Sequence, residues 1–249
     1  MAGHSKFKNI QFRKSAQDKK RAGMFGKIAR EITAAARSNP DPASNPRLRS
    51  AIANARGCNM PNDNIERAIK RSRDDDSANY ESSRYEGFAP GGVGVIVEAL
   101  TNNRNRTAGE LRAIFGKLGG SMGERGSVSF LFEQVGSIIY SLKDAKGDEM
   151  LEAAVDAGAS DYVSEDGSCE FFCEPDALHD VSGALEARFG AAESTRLAWR
   201  ANTSVAVGEE DAGALLKLLD ALEDSDDVQQ VYSNFDMSDE VMERVSANG

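Results

Sequence analysis

The sequence predicts an α+β, multidomain chain: a small all-helical domain at the N-terminus, then two domains of mixed strands and helices, one inserted in the other. Three observations carry this. Apolar residues repeat with helical period up to about residue 73 and alternate with strand period from Gly92. The charge changes sign at the same place: residues 1–73 hold 17 Lys/Arg and 5 Asp/Glu, a net of +12, whereas the remainder holds 13 and 35, a net of −22. Beyond Gly92 the elements read strand-helix-strand-strand-helix-strand twice, the second copy nested within the first.

The helical domain spans 1–73. At about 100° per residue, Phe25, Ile28, Ala29, Ile32 and Ala36 form one stripe over Met24–Arg37, and Lys27, Arg30 and Arg37 lie opposite. Ser38-Asn39-Pro40-Asp41-Pro42 breaks that helix. Asn45-Pro46 reads as an N-cap followed by proline at the first helical position. Leu48, Ala51, Ile52 and Ala55 then give a second buried stripe, in a helix that begins with Arg47 and Arg49. Gly57 and Asn59-Met60-Pro61 close it and open a third helix, where Ile65, Ala68 and Ile69 face in and Arg67, Lys70 and Arg71 face out. Lys6, Lys8, Arg13, Lys14, Lys19, Lys20 and Arg21 show no clean stripe and read as an arm plus a short helix.

Residues 74–91 open on a polar, aperiodic run, Asp74 to Arg84, and read as a linker. Val93, Val95, Val97 and Ala99 then alternate on a strand. Arg104 to Leu118 is helical, with Leu111, Ile114, Phe115 and Leu118 on one face, and Gly119-Gly120 ends it. Val128, Phe130 and Phe132 predict a strand, and Gly136 to Leu142 another. A helix over Met150–Ala157, a hairpin turning at Asp166-Gly167, a helix over Ala177–Phe189 and an extended Thr195–Arg200 follow. Ser204–Val207 (strand), Ala212–Leu222 (helix) and Val228–Tyr232 (strand) complete the chain. Residues 137–200 thus form one βαββαβ unit, and 92–136 plus 201–249 form the unit around it. This is the ferredoxin-like order in both.

Chemistry is mostly excluded. Apolar residues make up 40% of the 249 and no apolar run approaches the length of a membrane helix. The basic N-terminus has no hydrophobic segment behind it, and three cysteines, Cys58, Cys169 and Cys173, suit a reducing compartment. A cytoplasmic protein is expected. His4 and His179 lie in different domains, away from any Ser or Cys nucleophile signature. Cys169 and Cys173 share a strand face with Phe171, which means packing, and zinc would need further Cys or His nearby. Gly91-Gly92-Val93-Gly94 precedes a strand, whereas a dinucleotide fingerprint follows one; Gly119 to Gly126 lacks the ending of a phosphate loop. Asp224, Asp226 and Asp227 read as a solvated polar turn. No enzyme, no metal, no cofactor and no small-molecule substrate is expected.

The charge division points instead to a polyanion partner for the basic part. Phosphate contacts are expected at Lys6, Lys8, Arg13, Lys14, Lys19, Lys20, Arg21, Lys27, Arg30, Arg37, Arg47, Arg49, Arg67, Lys70 and Arg71. Phe7 and Phe12, interleaved with these cations, suit either base stacking or anchoring of the arm. In the acidic part, Asn103-Arg104-Asn105-Arg106-Thr107 joins a strand to a helix N-terminus. Arg104 and Arg106 there could hold a phosphate against free backbone N–H groups, or Asn and Thr could simply cap the helix.

Specific motifs resemble the YebC/PmpR family. They are Met1-Ala2-Gly3-His4-Ser5-Lys6-Phe7-Lys8-Asn9-Ile10, Arg13-Lys14, Ala29-Arg30-Glu31-Ile32, Asn45-Pro46-Arg47-Leu48-Arg49, Met60-Pro61, Ile65-Glu66-Arg67-Ala68-Ile69, Tyr85-Glu86-Gly87, Pro90-Gly91-Gly92-Val93 and Asn103 to Thr107. The match is dense to about residue 133. Phe7 stands where many members carry Trp, and Phe12 where many carry His. The resemblance implies three domains, the first helical, and a regulator of gene expression. Members are described as DNA-binding transcriptional regulators, and that is the function expected of this chain. Others act in translation, as a mitochondrial activator of cytochrome c oxidase synthesis or on ribosomes stalled at proline-rich stretches, so ribosomal RNA and the ribosome are alternative partners.

Overall fold

The structure is a computed structural model that describes residues 17–73, 79–141, 147–165 and 168–248. In chain order its elements are α1 (Gln17–Ser38), α2 (Pro46–Gly57), α3 (Asn62–Arg71), β1 (Glu81–Ala89), β2 (Val93–Thr101), α4 (Arg104–Lys117), β3 (Ser121–Met122) and β4 (Phe132–Ser141). Then come α5 (Gly147–Ala157), β5 (Asp161–Glu165), β6 (Ser168–Cys173), α6 (Leu178–Phe189), β7 (Ser194–Ala201), β8 (Val205–Ala206), α7 (Glu209–Asp224), β9 (Val228–Ser233), β10 (Phe235–Asp236) and α8 (Asp239–Asn248). The chain is α+β as predicted, helices first and two four-stranded sheets after. It separates into two compact units: Ile28–Ser77 with Gln134–Trp199, and Ala78–Glu133 with Arg200–Gly249 and the chain up to Lys27.

In the first unit the predicted stripes become a core: Ile28, Ile32, Ala36, Leu48, Ala51, Ile52, Ala55, Ile65 and Ala68 are buried, while Ile69 is only half-buried. Asn45 caps α2 as its sequence position implies, accepting from the Leu48 N–H at 3.0 Å. Its amide also donates to the Ala35 carbonyl at 2.9 Å, so one side chain starts α2 and ties it to α1. Thr33 ties α3 to α1, its hydroxyl donating to the Ala68 carbonyl at 3.1 Å. The same unit holds the sheet β5-β6-β4-β7, whose order is that of the predicted βαββαβ fold. Cys169, Phe171 and Cys173 do share one face, and they are buried with Ile138 and Tyr140 under α5 and α6. The two parts of the unit meet at Gly57, where a Cβ would stand 2.9 Å from the Glu193 carbonyl oxygen; only glycine allows that approach.

The second unit also has the predicted layers but draws two strands, β1 and β3, from elsewhere. Its sheet runs β3-β1-β2-β9. β1 pairs with β2 over its whole length, Glu81 opposite Thr101 to Ala89 opposite Val93, so the expected linker at 74–91 contains a central strand. The pattern was hidden because two of its buried positions are polar, Ser83 on one face of the strand and Glu86 on the other. The expected strand through Val128, Phe130 and Phe132 is absent. Ser129–Leu131 is a turn of 3-10 helix, and β4 starts at Phe132, earlier than the predicted Gly136. Ser204–Val207 yields only β8, two residues paired parallel to β10 outside the main sheet. Val93, Val95 and Val97 bury one face against Leu111 and Phe115 of α4 and Leu215, Leu218 and Leu222 of α7. Each such side chain stabilises the fold by roughly 1.5–3 kcal/mol.

Candidate nucleic-acid interface

The expected basic residues separate into three groups. Lys6, Lys8, Arg13 and Lys14 lie outside the described residues, as do Phe7 and Phe12. Lys19, Lys20 and Arg21 belong to α1, and only their backbone is described. The remainder can be placed by side chain.

Arg37, Arg47, Arg49, Arg67, Lys70 and Arg71 form the group placed in the first unit; all six are exposed. α3 is the most ordered display of them. Burying Ile65 and Ala68 turns Arg67, Lys70 and Arg71 away from the core, and Lys70 and Arg71 occupy the last turn, where the negative end of the helix dipole favours cations. Arg56 and Arg73 are further exposed cations of this unit, legible in the sequence as basic residues outside the apolar stripes. Some of these side chains are already engaged inside the protein. Arg49 donates to the carbonyls of Pro42 and Ala43 at 2.9 and 3.0 Å. Arg67 donates to the Asp63 carbonyl at 3.2 Å and to the Asn64 side-chain oxygen. These bonds hold the guanidinium groups near the backbone while the side chains stay exposed.

Two cations depart from the expectation of an open outward face. Lys27 is half-buried and donates to the backbone carbonyl of Glu223, since its position on α1 meets the C-terminal end of α7. Arg30 is half-buried as well. Its neighbour Glu31 has its carboxyl pushed upward by burial, an effect only partly offset by Arg47, Arg196 and Asn54.

The turn Asn103–Thr107 is a structural knot. Asn103 caps α4, accepting from the Arg106 N–H at 3.1 Å, so the capping reading describes this helix start. Thr101 and Thr107 are fully buried, with hydroxyls 3.1 and 2.7 Å from one carboxylate oxygen of Asp227. Arg106 donates to the same oxygen at 2.8 Å and to the Asn102 side chain at 3.1 Å. Asp227 was expected in a solvated turn. It is buried instead, because its chain position beside β2 sets it opposite two threonine hydroxyls and a guanidinium. Burial alone would raise its pKa; the hydrogen bonds from Arg106, Thr107 and Thr101 outweigh that and hold the carboxyl below its ordinary value. Arg104 remains exposed, its carbonyl accepting from the Tyr85 hydroxyl at 3.1 Å.

No group of His, Cys, Asp and Glu among the described residues is arranged to hold a metal ion, and no described helix is long and apolar enough to cross a membrane. The three cysteines are unpaired thiols, and burial raises the pKa of each, Cys169 to about 11.

A basic helical segment followed by acidic sheet domains is the build of a nucleic-acid-associated regulator, and the comparisons with known proteins agree. Residues 5–75 match the model of the TACO1/YebC protein N-terminal domain, and residues 80–235 match that of the TACO1/YebC second and third domain. The chain belongs to the TACO1/YebC family, whose members are nucleic-acid-associated regulators. Among solved structures it is similar to a conserved hypothetical protein from Aquifex aeolicus, at 42% identity and a TM-score of 0.83, covering 89% of this chain and 93% of that one.

Proposed function

We propose that this protein regulates gene expression by binding nucleic acid without catalysing a reaction, and that it is a DNA-binding transcriptional regulator of the YebC kind. The observation that carries the binding reading is the α3 face. There, an apolar stripe fixes the helix while Arg67, Lys70 and Arg71 point away from the core, within a segment whose net charge is +12. Such cations neutralise phosphates and release counterions, which gives affinity and a steep salt dependence. The basic residues ahead of α1 are part of that charge.

One observation favours a second reading, a ribosome-associated translation factor that binds ribosomal RNA. Sequence readout in duplex DNA uses free amide and guanidinium groups aimed at base edges, commonly near a helix N-terminus. In α3 the N-terminal amide of Asn64 and the guanidinium of Arg67 bond one another, and Lys70 and Arg71 sit at the opposite end. That arrangement recognises backbone and shape, which suits folded RNA.

Crosslinking the intact protein to nucleic acid in cells, followed by sequencing, tests both. Promoter fragments are expected on the transcriptional reading. Recovery dominated by ribosomal RNA would replace it with the second, and recovery of neither would end the binding reading itself.

A further inference from the structure

Phe130 is the most exposed large apolar side chain among the described residues, with 71% of its area in solvent. It does not sit on a loose loop. The carboxylate of Glu86, fully buried beneath it, accepts from the backbone N–H groups of Val128 at 3.0 Å and Ser129 at 2.9 Å. Arg84 lies against the other carboxylate oxygen at 3.1 Å. Burial would raise the Glu86 pKa, but these backbone bonds and Arg84 hold it below the ordinary value, so the anchor stays ionised. On the far side of Phe130, the Leu131 carbonyl accepts from the Asn202 N–H at 2.9 Å, and the Leu131 N–H returns to the Val128 carbonyl at 2.9 Å. Beneath the turn is Gly94 of β2. A Cβ there would come within 2.9 Å of the Leu131 side chain and 3.4 Å of Val128, so the turn is seated on bare backbone. Val128 is buried and Leu131 half-buried, both directed inward, and Phe130 between them is left outside. All of these groups belong to one unit.

A rigidly held aromatic that contributes nothing to its own core is arranged for an outside contact. Its surroundings narrow the choice. Glu124, Arg125 and Glu133 are exposed nearby in the chain and Ser129 is half-buried, so the ring is the one exposed apolar side chain of residues 124–133. A stable protein interface needs roughly 800 Å² per partner with an apolar centre, which one ring amid polar residues does not offer. It does match the face of a single base, and stacking on an aromatic needs no more than that. A ring with two side-chain torsions, held by a fixed backbone, loses little freedom on stacking.

We propose that Phe130 is a stacking platform for one unpaired nucleobase, a contact in the sheet-bearing part of the chain that is separate in kind from the phosphate contacts of the basic helices. The proposal rests on the nucleic-acid reading above. The net charge of Glu124, Arg125 and Glu133 is not positive, so Phe130 cannot recruit a polyanion by attraction. It acts on nucleic acid that the basic segment has already brought near, where the tether makes the second contact intramolecular. Unpaired RNA and unpaired DNA share the chemistry; a perfect duplex lacks it.

The test uses the full chain, titrated with labelled single-stranded RNA, single-stranded DNA and the corresponding blunt duplex over a range of salt. Phe130→Ala is expected to weaken single-strand binding by about 5- to 150-fold. The slope of log affinity against log salt should stay unchanged, because no cation is removed, and duplex binding should stay within about twofold. Phe130→Trp should retain or exceed the original affinity. Because Phe130 is exposed, the variants keep the fold, which an unchanged melting temperature would confirm. A larger effect on RNA than on DNA would name the physiological strand. Equal single-strand affinity for the original and Phe130→Ala overturns the proposal, as does an equal loss on the duplex. If the unaltered protein binds none of the three probes at low salt, the nucleic-acid reading has failed as well, and that result is distinct from the other two.

Discussion

The α3 face and the Asn103–Thr107 turn look alike in sequence, each a short helical segment with arginines among asparagines, yet the fold uses them in opposite ways. On α3 the cations stand over a helix whose buried anchors are Ile65 and Ala68. In the turn, Arg106 is one of three donors to the buried carboxylate of Asp227. The first arrangement leaves charge available to a partner. The second commits much of it to holding α4 to the strand that follows α7. An arginine count cannot separate the two, because the deciding residue lies about 120 positions away in the chain.

The contrast should be broken most sharply from the Asp227 side. Asp227→Ala removes the acceptor that Thr101, Thr107 and Arg106 share, leaving the two hydroxyls each other and the Asn103 carbonyl, and is expected to cost about 2 kcal/mol of stability, read as a fall in the denaturant midpoint. The half-exposed Arg106 contributes little to that figure, since solvent screens it. A loss under about 0.5 kcal/mol would mean the knot holds nothing together. Binding per folded molecule should be unchanged.

Reversing charge on α3 should do the converse. Arg67→Glu, Lys70→Glu and Arg71→Glu combined should cost little stability, up to about 1 kcal/mol each at Lys70 and Arg71, where a carboxylate opposes the helix dipole. The slope of log affinity against log salt should fall by up to about 0.9 for each phosphate that is no longer neutralised. Arg106→Ala removes one charge of the same kind and should leave that slope nearly alone. A slope equally sensitive to Arg106 and to α3 would erase the distinction between the two regions.

How far the sequence carried these conclusions depends on where each determinant lies. The helix stripes, the Asn45 cap and the strand-and-helix order of the βαββαβ fold were legible because their causes are local: spacing, a capping side chain, a turn. β1 was not, since Ser83 and Glu86 interrupt its apolar alternation and only the pairing with β2 and the backbone of Val128 and Ser129 makes sense of them. The mistaken strand at Val128–Phe132 is the same error seen from the other side. Alternating apolar residues satisfy the period, but Glu86 captures the N–H groups that a strand would need, and Phe130 ends in solvent. The fates of Arg106 and Asp227 were hidden for the same reason, a partner remote in sequence.

Acid offers the smallest effect and separates the two units by sign. Asp227 and Glu86 have carboxyls held below their ordinary values, so each contributes stability above the unfolded-state pKa, about 4, and loses it as the pH falls through the lower folded value. Glu31, packed against Arg47, Arg196 and Asn54, is raised; its contribution is complete below the unfolded-state pKa and is lost as the pH rises through the folded value. Acidification from about pH 6 towards about pH 3 therefore loosens the unit that contains β1 and α4 while relieving the one that contains α2 and most of α1. Hydrogen exchange followed across that range should show protection falling first at the amides of Val128, Ser129 and Arg106. The amides of α1 and α2 around Glu31 should keep theirs to lower pH. The reverse order would mean that the ionised carboxylates of Asp227 and Glu86 are not what fixes the turn at the start of α4 and the platform under Phe130.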